Sequence, residues 1–408
     1  MLRLFITVKI SSSFILTKTQ TKRWHLNRCC NLSNKSSAII LGMRILILNW
    51  KDLRHPLAGG AEIATHEYAK HLVKLGHQVF QISSLSPGLA KRETIAGVKV
   101  IRLGNLYTIQ LHACIFYLSH LRDQVDIVID EIHGLPFFTP LYIQKPILAF
   151  IHEVAGEIWF ADFSFPLATI GYMSEKIYFY FYRHLHFLTD ANSTASELIK
   201  KGIPEINISI LPLTINPPTL VRLPKSQQPT LIYVGRLAPI KRLELLLEVC
   251  QILKTQFRSL KVIIVGRGKT HYINHLNQLT RKLGLINRVR FLHQVSEKGK
   301  FKLLRYAWIL VHPSLKEGFG LTVLEAASQQ TPTVCFRVNG LKELVKDKTT
   351  GIVVAEETAN ALAHELTSLL QHRRLRLKLG NRAQIMVNKF PSWLTQTRKL
   401  EQLLNKII

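Results

Sequence analysis

The 408-residue chain predicts an α/β fold made of two Rossmann-like units. Three observations carry this expectation. The length exceeds what one compact core accommodates. Continuous apolar strands alternate with helical patterns, which implies parallel sheets covered on both faces. A stretch over 212–229 with five prolines (Pro212, Pro217, Pro218, Pro224, Pro229) and no periodicity divides the alternation in two. The expected layout is a basic extension over 1–42, a first unit over 43–215, a linker over 216–229, a second unit over 230–390 and a terminal helix over 391–408.

Each element has its own warrant. Strand 44–49 leads through a glycine-bearing loop to a helix that begins near Ala61 and stops at Gly76. Apolar runs over 78–83, 98–103, 126–130, 147–151, 187–190 and 208–211 read as further strands. Asn192-Ser193 reads as the N-cap of a helix over 194–201. Beyond the linker come strands over 231–234, 261–265, 288–292 and 308–312. Helices over 240–256, 272–283 and around 297–306 separate them, and two more strand–helix pairs run to about residue 370. Two such units leave a cleft between them, the expected ligand site.

Composition narrows the function. Hydrophobic content of 47% with 20% charged residues describes a globular protein rather than a disordered one. The net charge of +28 points to an anionic partner: nucleic acid, anionic lipid or a phosphorylated substrate. Residues 1–42 hold seven basic and no acidic residues, which resembles a targeting segment. Met43, directly before a strand, is the stronger reading as the true start. The remainder keeps 47 basic against 26 acidic residues, about +21. No uninterrupted apolar stretch reaches the roughly 20 residues that span a bilayer. The five cysteines, Cys29, Cys30, Cys114, Cys250 and Cys335, show neither disulfide nor zinc spacing. A reducing, cytoplasmic setting and no metal are expected.

Four segments carry chemistry. Gly59-Gly60-Ala61-Glu62 opens a helix, where paired glycines let amides approach an anion. Gly235-Arg236-Leu237 follows a strand and is joined by Lys241, two cations able to hold a diphosphate. Val265-Gly266-Arg267-Gly268 follows another strand. It lacks the spacing of a Walker loop and reads as a close turn beside a nucleotide. His312-Pro313-Ser314-Leu315-Lys316-Glu317-Gly318-Phe319-Gly320-Leu321-Thr322 runs into a helix through Glu325. It places one carboxylate at the helix mouth and a second a turn or two deeper.

With these residues the sequence resembles the family-four group of retaining glycosyltransferases, whose hallmark is Glu–seven residues–Glu. Glu317 and Glu325 match it, and Gly235-Arg236-Leu237 with Lys241 matches the family's diphosphate clamp. Gly59-Gly60-Ala61-Glu62 matches the first-domain glycine loop. Asn339-Gly340 with Glu343 resembles a late turn, and Phe390-Pro391-Ser392-Trp393 precedes a last helix that crosses back to the first domain. The likeness spans about 43–405 and implies the GT-B fold, with two sheets facing across a cleft. It implies that Glu317 contacts the donor sugar and Glu325 the ribose. Arg236 and Lys241 hold the diphosphate, helped by amides of Gly318, Phe319, Gly320, Leu321 and Thr322. His152 occupies a strand end where relatives place a histidine near the reacting sugar, and His133 is a second histidine candidate. Leu213-Thr214-Ile215-Asn216 and His293 depart from the family pattern, which leaves the base preference open.

The resemblance further implies sugar transfer from a nucleotide sugar to a hydroxyl acceptor, carbohydrate or lipid-linked, with retention and without cofactor. No D-x-D is present to hold a metal, so cations and helix termini would take its place. A nucleotide-sugar epimerase or phosphorylase is a rival on the same fold. A nucleic-acid-binding protein is a rival of another class, disfavoured because the cations are spread widely. The aromatic, cation-flanked segment 172–186 reads either as a buried helix or as a surface lying on a membrane.

Overall fold

The computed structural model describes residues 42–408 apart from 157, 163, 218 and 219, so the expectation for the extension falls outside the described residues but for Gly42. The first sheet contains β1 (Arg44–Leu48), β2 (Gln78–Ser84), β3 (Arg92–Ile95), β4 (Val98–Leu103), β5 (Ile127–Ile132), β6 (Ile147–Ile151), β7 (His186–Thr189) and β8 (Ile208–Ile210). Their spatial order is β3-β4-β2-β1-β5-β6-β7-β8. The second sheet contains β9 (Thr230–Val234), β10 (Lys261–Val265), β11 (Val289–Leu292), β12 (Ile309–His312), β13 (Thr333–Phe336) and β14 (Gly351–Val354), in the order β11-β10-β9-β12-β13-β14. In β1, Ile45, Leu46, Ile47 and Leu48 are all buried, as a strand covered on both faces requires.

The sheets are parallel except at one edge. β3 pairs antiparallel with β4, with Ile95 opposite Val98. The sequence reading missed this hairpin because Arg92–Ile95 is polar and largely exposed. Its two-residue turn is Ala96-Gly97, with φ of 51° and 85°, the positive-φ pair that a tight hairpin needs.

Two helix boundaries also differ from expectation. The helix expected from Ile240 starts at Leu243, after a 3-10 turn over Pro239–Lys241 and Arg242 at φ 52°. Pro239 fixes the first position of that turn. Asn192 and Ser193 do not cap the helix Asn192–Lys200 but form its first turn, after Ala191. The cap comes from the other domain. Glu343 accepts from the Asn192 and Ser193 amides at 2.9 and 2.8 Å, placing a carboxylate at a helix N-terminus.

The last helix, Trp393–Ile407, packs back on Gly60–Lys74 of the first domain. Trp393 meets Tyr68 edge-on at 5.1 Å, and His77 pairs with Glu401 at 2.8 Å. Gln396 donates to the Pro212 carbonyl beside the linker.

Candidate active site

In each sheet the order in which strands are added reverses between two parallel neighbours: β1 and β5 in the first, β9 and β12 in the second. The crevice beyond the carboxyl ends of such strands is where open α/β sheets bind ligands. Here both reversal points open into one cavity, lined from both domains.

On the second-domain wall, Lys241 in the 3-10 turn donates to Glu317 Oε2 at 2.6 Å and to the Lys316 carbonyl at 3.3 Å. Burial disfavours the charged form of Glu317. Lys241, His312 and Arg236 together overcome that penalty and hold its pKa below the usual carboxylate value. His312, at the end of β12, lies 3.8 Å from Glu317 and shares a hydrogen bond with Ser314 at 2.9 Å. Burial pushes its pKa down to about 4 against the pull of Glu317, so it is neutral at pH 7. The Tyr233 hydroxyl donates to the Arg236 carbonyl at 2.9 Å and fixes the backbone after β9. The Arg236 side chain is exposed and forms no ion pair among the described residues. Helix Leu321–Ser328 starts after Gly320 at φ 98°, and its first amides lie on the same cavity wall, with the positive end of the helix dipole.

Two glycines let the walls meet. A Cβ on Gly318 would sit 2.8 Å from the His152 carbonyl oxygen, across the cleft. Gly340 has φ 77°, and a Cβ there would stand 2.6 Å from both the Glu317 and Gly318 carbonyl oxygens.

On the first-domain wall the glycine loop differs from expectation. Glu62 Oε2 already accepts the Gly59 amide at 2.6 Å, and Lys51 pairs with Glu62 at 2.7 Å. Burial raises the Glu62 pKa, but Lys51, His133 and the Gly59 amide overcome it and bring it to about 2. The chain's own carboxylate therefore occupies one amide of the expected anion cradle. Gly60 faces Leu321 across the cleft, its Cβ position 3.5 Å from that side chain.

His152 directly follows β6 and is buried. Its Nδ1 lies 2.8 Å from Asp190 Oδ2, and its Nε2 lies 3.9 Å from Glu131 Oε2, with no hydrogen-bond partner. Burial lowers its pKa, but Asp190 and Glu131 outweigh that and raise it to about 10. Glu131 in turn accepts from Asn49 at 2.7 Å and from Thr65 at 2.6 Å, and His133 Nε2 lies 3.4 Å away. Glu131, His133 and His152 thus bring three potential ligand atoms within 4.8 Å, a grouping that the sequence spacing does not show. Hydrogen bonds from Asn49 and Thr65 already engage both Glu131 oxygens.

Replacing His152 by Ala leaves buried Asp190 without its paired cation and is expected to cost about 3–5 kcal/mol. The double variant H152Q/D190N, which removes both charges of the close pair, should recover part of it; denaturant melts check both. The raised pKa carries a pH signature. The pairing contributes fully below the ordinary histidine pKa of about 6.5 and is lost as pH rises toward about 10. The stability gap between wild type and H152Q/D190N should close over that window.

Two expected site residues lie outside this cavity. Glu325 is paired with Lys300 of helix Glu297–Tyr306 at 2.5 Å, and its other oxygen is buried without a partner. Burial raises its pKa against the pull of Lys300. Gly266 packs the turn after β10 onto the turn after β9, its Cβ position 1.8 Å from the Gly235 carbonyl oxygen. In this structure the role of Gly266 is that close approach. Lys51, Glu131, Asp190 and Lys300 were not read from the sequence.

Two facing Rossmann-like domains, with a carboxylate–lysine pair at the mouth of a helix in the cleft, make this a GT-B protein. The sequence profile described as glycosyl transferases group 1 matches residues 221–386, and that of glycosyltransferase family 4 matches 58–217. The chain belongs to the family-four, group 1 glycosyltransferases. It is 32% identical to D-inositol 3-phosphate glycosyltransferase of Corynebacterium glutamicum over 180 residues, 43% of each chain. The chain spans about two fifths of the length of such curated relatives. Sucrose-phosphate synthase of Thermosynechococcus elongatus superposes with a TM-score of 0.76 at 19% identity, covering 89% of this chain and 99% of that one. HepE of Anabaena, solved with UDP-glucose, superposes at 0.72 and 16% identity, covering 89% and 100%.

Proposed function

We propose that the protein transfers a sugar, with retention, from a nucleoside diphosphate sugar to a hydroxyl of a lipid-linked or polysaccharide precursor. The observation that carries this reading is the Lys241–Glu317 pair, which lines one cavity with Arg236 and the N-terminus of helix Leu321–Ser328. Arg236, Lys241 and the helix amides hold the diphosphate and neutralise it as it departs. Ionised Glu317 accepts hydrogen bonds from the sugar hydroxyls. The bond from the anomeric carbon to the phosphate oxygen breaks as the acceptor oxygen bonds on the same face, and the departing phosphate takes the acceptor's proton. Support also comes from a UDP-glucose complex of a protein with this fold.

No helix among the described residues is long and apolar enough to cross a membrane. A cytoplasmic place at a membrane face, and a reaction needing neither metal nor other cofactor, belong to the same proposal.

The test is transfer by the purified full chain across a panel of nucleotide sugars, with and without EDTA. Product with the donor's anomeric configuration, formed equally in EDTA, is the expected result. Complete loss on chelation, restored by Mg²⁺ or Mn²⁺, overturns the metal-free step, and binding of no nucleotide at all overturns the reading.

A further inference from the structure

Helix Leu167–Tyr182 is apolar nearly all round, and only one side of it is covered. Ala168, Gly171, Glu175, Tyr178, Phe179 and Tyr182 face the core. On the opposite side Ile170, Met173, Ile177 and Tyr180 are each 50–61% exposed. That is helical spacing, so the four form one stripe. Phe165, 82% exposed, and Leu167 extend it at the helix entrance.

The charges exposed on this helix have one sign. The helix contains a single acid, Glu175, which is fully buried, pairs with Lys201 at 2.6 Å and accepts the Gly156 amide at 2.8 Å. Cations lie beside two of the rings: Lys176 is 5.6 Å from the half-buried Tyr172 ring and Arg183 is 4.3 Å from the exposed Tyr180 ring. A second row, Tyr107, Leu111, Ile115 and Leu118, is exposed on the neighbouring helical segment over 107–121. Both segments bury their inner sides in one core on the same face of the first sheet, so their outer rows point the same way.

We propose that this outer face docks on an anionic lipid surface. The surface combines apolar side chains with flanking cations and no exposed acid on the helix, which suits the headgroup boundary of a bilayer. It also lies next to the cleft. Glu175 holds Gly156, four residues past His152, and Gly171 packs on Trp159 of the short helix that follows, Ile158–Asp162. Docking therefore brings the acceptor-side wall of the cavity to the membrane. The inference rests on the reading of the acceptor as lipid-linked and names the surface that presents it.

The experiment is co-sedimentation of the full chain with vesicles of phosphatidylcholine, alone or mixed with phosphatidylglycerol. Binding to the anionic vesicles should exceed binding to neutral ones by at least about tenfold and should weaken with salt over a Debye length of about 8 Å. The variants I170E/I177E and K176Q/R183Q should each lose most of that binding, while thermal melting and UDP binding stay at wild-type values. Equal binding by the variants overturns the proposal. So does a concentration-dependent dimer in sedimentation that I170E/I177E abolishes, which would assign the face to a second copy of the chain. UDP binding on the same samples separates the two readings: its absence sinks the transferase reading and leaves the vesicle result to stand by itself.

Discussion

Replacing Glu317 by alanine should lower kcat/KM by about two to three orders of magnitude, the scale at which preorganised groups act on developing charge. The side chain has two tasks. On the proposed reading it would take hydrogen bonds from the donor sugar, and it holds Lys241 at 2.6 Å, where that lysine would meet the diphosphate. Without it Lys241 keeps only the Lys316 carbonyl at 3.3 Å and is free to leave the site. The fold should survive, because Glu317 sits in a loop and its partner Lys241 retains access to solvent. Glu317→Gln should keep the sugar contact better than the lysine's place, so its donor Kd should rise more than that of an unaltered clamp allows. Calorimetric melts with single-turnover kinetics check the pair. Near-normal turnover by a folded E317A protein would remove Glu317 from the site.

Gly340→Ala should displace the loop that carries Glu317. Its φ of 77° falls in a region that side-chain-bearing residues rarely populate, at a cost of order 1–3 kcal/mol. The added Cβ also meets the carbonyl oxygens of Glu317 and Gly318 at 2.6 Å, and backbone cannot rotate away as a flexible side chain would. The loop carrying Glu317 must shift, and Glu343, three residues on, loses its hold on the Asn192–Lys200 helix. Stability should fall by about 3 kcal/mol or more, with donor binding falling as well. Gly284→Ala is the internal control: its φ is 66°, yet nothing lies within 4 Å of its Cβ position. It should show only the backbone cost of roughly 1–2 kcal/mol and unaltered donor binding. Equal losses at the two sites would show that the collision at Gly340 relaxes freely.

Much of this protein is legible in its sequence because the signals are local. A strand buried on both faces must be continuously apolar, so β1, β6, β9, β10 and β12 announce themselves. Turns that present functional groups need glycine or proline, so Gly235, Gly318 and Gly320 mark the cleft beside Arg236 and Glu317. The edge strand β3 is polar and exposed and gives no such signal. The sequence places Lys241 near a helix start, but Pro239 and Arg242 put it in the turn before.

The sequence by itself determined two α/β units, the strands that end at the cleft, and the residues Arg236, Lys241 and Glu317 on its wall, because periodicity and turn chemistry act over a few neighbouring residues. Tertiary structure alone decided which charges neutralise which. Lys51 meets Glu62, Lys300 meets Glu325, Asp190 and Glu131 flank His152, and Glu343 caps a helix in the other domain. These partners are 11, 25, 38, 21 and about 150 residues apart in the chain. Electrostatic pairing depends on distance in space and on burial, and neither is written in residue order until the two sheets have packed.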